Sequence, residues 1–284
     1  MNKRLITAAC VSMALLLSAC AAPRKSTPLR PEAMNGGVTV VRSLPKPLPG
    51  KSSAFPNSQF VLIGTESALK LLNPLPVPFV DDVIESSIHH RTAESIESTL
   101  TSIDPYRLTL ATFQSSPMFG TGDAKLKLNP FVVIQECSDD RFRLALVYHL
   151  EGPNWVGRYF YHLPTAYPID RFSAPTPDLL EQLSGELRAG AGTLRGLMER
   201  DARADLRSTG AKVDIGSLHF VGGRVGGLLS PTLIKMKGAD LLQDDGQIVV
   251  IRADGDMKMS VDKGGLNFGV HHIRKDQLHT FQKL

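Results

Sequence analysis

Four basic side chains in one stretch of the chain have the spacing best suited to binding chemistry. Arg143 and His149 are an even number of residues apart, and so are Arg158 and His162. In extended chain each pair therefore shares a face. A hairpin that folds the two runs together brings all four onto one surface, with Val147, Val156 and Phe160 among them. A half-apolar face carrying Arg143, His149, Arg158 and His162 suits an anionic or amphipathic ligand. The alternative is a structural role, in which the long helix that follows covers part of the face and water covers the rest.

The remaining motifs argue against chemistry. Gly222-Gly223-Arg224-Val225-Gly226-Gly227 leads into a strand-like run, whereas a phosphate cradle opens onto a helix N-terminus, so it reads as a turn or bulge. Asp254, Asp256 and Asp262 miss calcium-loop spacing, with Lys258 at the third ligand place. His271 and His272 are neighbours, and on a strand they point to opposite faces and do not share a metal; His89-His90 also lacks metal-motif spacing. No G-x-S-x-G occurs. No catalytic residue, metal or cofactor is therefore expected.

A different kind of chemistry is written at the N-terminus. Lys3 and Arg4 precede an apolar run over residues 5–17, interrupted only by Thr7 and Ser12. As a helix that run is roughly 20 Å long, too short for a bilayer core of about 30 Å. It ends in Leu17-Ser18-Ala19-Cys20. These residues resemble the signal peptide and lipobox of a bacterial lipoprotein. The resemblance, confined to the first 20 residues, implies cleavage between Ala19 and Cys20. It also implies a thioether-linked diacylglycerol on Cys20, usually with a third acyl chain on its amine. Each buried methylene contributes about 0.8 kcal/mol, so two or more chains hold a protein stably on a membrane. Ala21, where Asp would favour inner-membrane retention, implies the periplasmic face of an outer membrane.

Composition limits the partners. The chain has 32 Lys+Arg and 28 Asp+Glu, and removal of Lys3 and Arg4 with the signal leaves +2. There is no dense basic stripe with interleaved aromatics, so nucleic acid is not an expected partner. Of three cysteines, Cys10 leaves with the signal and Cys20 is lipidated. Cys137 is then a lone thiol, read as a small buried hydrophobe.

The elements that must position these residues follow from periodicity. Seven prolines punctuate residues 21–58, which read as a tether with one short strand at Val38-Thr39-Val40-Val41. Phe60-Val61-Leu62-Ile63 reads as a strand, with helical spacing following it in three segments to Ile103. Asp104-Pro105 reads as a helix stop, and 107–113 as a strand. Residues 141–150 and 155–163 alternate around Glu151-Gly152-Pro153-Asn154, which predicts a hairpin. Facing Leu150 to Trp155 sets Leu146 opposite Tyr159 and Leu144 opposite Tyr161. Thr176 or Asp178 caps a long helix with a leucine stripe. Its Gly185, Gly190, Gly192 and Gly196 suggest close packing on the sheet. Gly and Asp turns divide residues 211–284 into short strands.

The expected fold is α+β: an antiparallel sheet packed by a long helix, with a β-rich C-terminal module. The expected divisions are a signal peptide (1–19), a lipidated Pro-rich tether (20–58), an α+β domain (59–208) and a β-rich module (209–284). Function is expected to be that of a membrane-anchored envelope lipoprotein, a non-catalytic scaffold or binding protein for a protein, glycan or lipid partner. The alternatives are an envelope-acting enzyme with a site assembled from dispersed residues, or a lipid or metabolite carrier.

Overall fold

The computed structural model of the chain describes residues 25–34, 36–44, 52–54, 59–63, 100, 102–120, 124–137, 141–225, 228–236, 238–255 and 268–279. In chain order the elements are β1 (Val38–Val40), β2 (Ser52–Ala54), β3 (Phe60–Ile63), α1 (Pro105–Phe113), β4 (Leu126–Cys137), β5 (Arg141–Glu151), β6 (Val156–Pro168), α2 (Ile169–Ser173), α3 (Pro177–Ala202), β7 (Lys212–Val213), β8 (Gly216–Val225), β9 (Leu228–Met236), β10 (Ala239–Asp244), β11 (Ile248–Ala253) and β12 (Gly269–Arg274). The signal segment, the helical spacing at 65–99 and the strand-like run 257–261 lie outside the described residues.

The fold is α+β, with one mixed sheet running β2-β3-β4-β5-β6-β12-β11-β10-β7 and β1 also paired to β4. β4, β5 and β6 form its antiparallel centre. β1 and β3 both join β4 in parallel, and β12 joins β6 in parallel. The last of these pairings hydrogen-bonds the C-terminal strands into the same sheet as the hairpin. β8 and β9 pair separately as a two-stranded hairpin.

The two faces of the sheet differ. On one, Phe142, Leu144, Leu146, Tyr148 and Leu150 join Tyr159 and Leu163 under α3, whose Leu183, Leu187, Leu194 and Met198 are fully buried. Thr176 caps α3 by accepting from the Leu179 amide at 3.3 Å, with Pro177 in its first turn. Of the four glycines in α3, only Gly190 is a contact point: a Cβ there would lie 2.5 Å from the Tyr161 ring, while the other three face open space. The opposite face carries a smaller cluster that includes Val147, Phe160, Ile251 and Ile273.

The structure corrects two local expectations. The hairpin pairs Glu151 with Val156, Leu150 with Gly157 and Leu146 with Tyr161, two residues from the expected register. The loop is 152–155, closed by the Gly152 amide donating to the Trp155 carbonyl at 2.8 Å. A two-residue slip preserves which side chains share a face. Residues 107–113 are helical rather than extended. Asp104 is the N-cap of α1, accepting from the amides of Tyr106 and Arg107 at 3.0 and 3.3 Å, and Pro105 takes the first turn.

Residues 25–34 and 36–44, within the stretch read as a tether, pack on the sheet: Leu29 and Val38 are fully buried and Val40 nearly so. A buried ion pair secures them. Arg252 on β11 bonds Asp201 at the end of α3 at 2.5 Å. The Asp201 Oδ2 atom also accepts from the Tyr159 hydroxyl at 2.7 Å and the Leu29 amide at 3.0 Å. Burial first, and then the Asp201 carboxylate, pushes the Tyr159 hydroxyl well above its ordinary value, so it stays a donor.

Candidate functional site

The hairpin places Arg143, His149, Arg158 and His162 on one face, the one opposite α3, so the long helix does not cover them. His149 and Arg158 are direct cross-strand partners, both buried. Arg158 Nε donates to His149 Nδ1 at 2.9 Å, which puts the ring proton on Nε2, facing Glu151 Oε1 at 2.9 Å. Asn129 extends the row on β4, opposite His149, and meets the Ser43 hydroxyl at 2.5 Å. The Arg158–His149 chain of hydrogen bonds ends at Glu151, the last β5 residue before the hairpin loop. Its effect is to hold the base of that loop.

His162 lies further along β6 and belongs to a second group. Its Nε2 is 3.1 Å from His271 Nδ1, and both rings stack with Phe160. His272 points to the other face and stacks on Tyr161, as expected for strand neighbours. Arg143 pairs with Ala166 on β6, across an irregularity in the register from Ala145 and His162. The four predicted residues therefore form two separate groups and a third position. Among the described residues no three His, Cys, Asp or Glu side chains gather at a metal-binding distance.

Burial first, then His271 and His272, holds His162 well below the ordinary histidine value of 6.5. Burial also lowers His272, opposed by Asp245. A depressed folded value gives stability that is complete above the unfolded value, near pH 6.5, and is lost as pH falls below it. Denaturant unfolding from pH 7 to 5 should show this loss. His162→Gln should flatten the slope by up to about 1.4 kcal/mol per pH unit, the contribution of one proton. An acid slope identical to that of the native chain would rule out His162 as its source.

The loop held by Glu151 forms one wall of a cleft of about 880 Å³. The opposite wall is the N-terminal segment at residues 27 and 30–33, and Lys125 stands at the entry to β4. The polar lining comprises Thr27, Arg30, Glu32, Lys125 and Asn154, with Trp155 as the aromatic element. The Trp155 ring is laid over Gly157, where an added Cβ would come within 2.2 Å of it. Its indole Nε1 is buried without a hydrogen-bond partner among the described residues. A buried N–H in this state costs about 1–3 kcal/mol.

Sequence reasoning placed Trp155 on the apolar face of the hairpin and did not connect it with residues 27–33. The available signal was the position of the chain's single tryptophan directly after Gly152-Pro153-Asn154. Neither protein-family models, curated proteins nor solved structures give a match to this chain.

Proposed function

We propose that the chain is a lipid-anchored protein of the bacterial cell envelope that binds an envelope partner without catalysing a reaction. The observation that carries this reading is Leu17-Ser18-Ala19-Cys20 placed after a basic start and a short apolar run. Cys20 would bear the acyl chains, and the body would work at the periplasmic face of the outer membrane. The cleft supports a binding role: its volume is in the range typical of ligand sites, and its lining combines polar side chains with one aromatic side chain. The hydrogen bonds of His149 and Arg158 are made within the sheet and favour a structural role for that pair.

The test is Cys20→Ser. Cells fed labelled fatty acid should acylate the native chain and leave the variant unlabelled, and the variant should leave the membrane fraction. Acyl label that survives the substitution, or a native chain that retains Met1 and fractionates with cytosol, overturns the proposal.

A further inference from the structure

We infer that the cleft between residues 27–33 and the hairpin loop binds an acidic saccharide, one carrying a carboxylate or phosphate on a sugar ring. This deepens the envelope reading and rests on it for the source of the glycan; the cleft itself does not depend on it.

Three observations converge. The first is the Trp155 indole, fixed over Gly157 and lining the cleft. Its half-buried ring offers the cleft an apolar surface, and a sugar ring supplies C–H faces for it. The second is the mixed lining. Glu32 only accepts, Arg30 and Lys125 only donate, and Thr27 and Asn154 do both. Hydroxyl groups match such a set because each can donate and accept, whereas an apolar metabolite would leave the five side chains unmatched. The third is charge. Arg30 and Lys125 are exposed and make no ion pair among the described residues, and two cations against the single Glu32 leave the cleft positive. An acid group on the sugar would complete the balance, and Arg30 would grip it with paired N–H donors.

Position agrees with the envelope reading. Arg30 is ten residues beyond Cys20, a length of chain that spans at most about 35 Å. A lipidated Cys20 would therefore keep the cleft within that distance of the bilayer.

The experiment is a titration of the purified full-length protein, with its only tryptophan as reporter. One probe is the disaccharide of N-acetylglucosamine and N-acetylmuramic acid, which carries a lactyl carboxylate. The other is N,N′-diacetylchitobiose, which has no acid group. The acidic disaccharide should shift Trp155 emission saturably and bind roughly tenfold more tightly than chitobiose. Arg30→Gln with Lys125→Gln should reduce its affinity to that of chitobiose while leaving the unfolding midpoint unchanged. Trp155→Phe, followed by calorimetry, should weaken both probes. The absence of saturation with the acidic probe up to about 10 mM overturns the inference. So does equal affinity for the two probes, or binding that the double substitution leaves intact. A cytosolic chain that binds the disaccharide would refute the anchor and leave the cleft standing; an acylated, membrane-bound chain that binds neither probe would refute the cleft alone.

Discussion

Asp201→Asn is expected to lower folding stability by about 3–5 kcal/mol. The carboxylate is 1% exposed and Arg252 only slightly more so. Asparagine can still bond the Tyr159 hydroxyl or the Leu29 amide, but it leaves the Arg252 guanidinium buried without a counter-charge. Loss of that pairing, rather than loss of a contact, is the source of the cost. Replacing both partners by apolar residues, Asp201→Leu with Arg252→Met, should restore only part of the loss: neither ion is then desolvated, but the Tyr159 hydroxyl and the Leu29 amide lose their acceptor. Guanidinium unfolding of the native chain, the single variant and the double variant measures this directly. The same substitution should increase hydrogen exchange at the Leu29 amide, since that donor bonds Asp201 Oδ2. Its effect would reach the cleft, whose second wall begins at residue 27. A single variant within about 0.5 kcal/mol of the native chain would show that the ion pair does not hold these elements together.

Much of the sheet centre was legible because alternation has a period of two and is nearly complete in β5 and β6. The face shared by Phe142, Leu144, Leu146, Tyr148 and Leu150 is buried as a unit. Register was less legible. It depends on the turn, and Gly152-Pro153-Asn154 admits two closures that differ by two residues and leave both faces unchanged. The parallel joins were not legible at all. Pairing of Val38 with Leu126 and of Val270 with Tyr159 links segments far apart in the chain, and local periodicity carries no information about such partners. Asp104-Pro105 was ambiguous for a related reason: the dipeptide can follow one helix or begin another. Here Asp104 accepts the first amides of α1.

The candidate face was partly legible. Its members do share a side of the sheet, yet His149 and Arg158 turn inward to Glu151, and His162 turns to His271. Side-chain spacing predicts a common face but not whether the groups on it bond one another or remain open to a ligand. The cleft was illegible because its walls come from residues 27–33 and 152–155, more than a hundred residues apart. Burial of Leu29 decides that juxtaposition, and a proline-punctuated stretch gives little local sign of being packed.

Gly269→Ala is expected to cost about 3 kcal/mol and to weaken the join between β6 and β12. Gly269 has a φ of +137°, and a Cβ there would lie 2.3 Å from the Arg158 carbonyl oxygen. That atom is backbone in the neighbouring strand, so relief requires the strands to separate. Separation would disturb the pairing of Val270 with Tyr159 and of His271 with Phe160, the start of the parallel contact that ties the C-terminal strands to the hairpin. Gly246→Ala is the control. Its φ is +95°, but an added Cβ meets nothing within 4 Å. It should cost only the backbone strain, about 1 kcal/mol. The difference between the two variants in chemical denaturation isolates the steric part from the conformational part. Arg158 lies on the strand that would be displaced, and its Nε bonds His149. Gly269→Ala should therefore also loosen the Arg158–His149–Glu151 chain and, through Glu151, the loop that carries Trp155. A red-shifted, more quenchable Trp155 emission in the folded variant would register that transmission. Equal costs for Gly269→Ala and Gly246→Ala, with native emission in both, would mean that the strand contact at Arg158 relaxes without consequence.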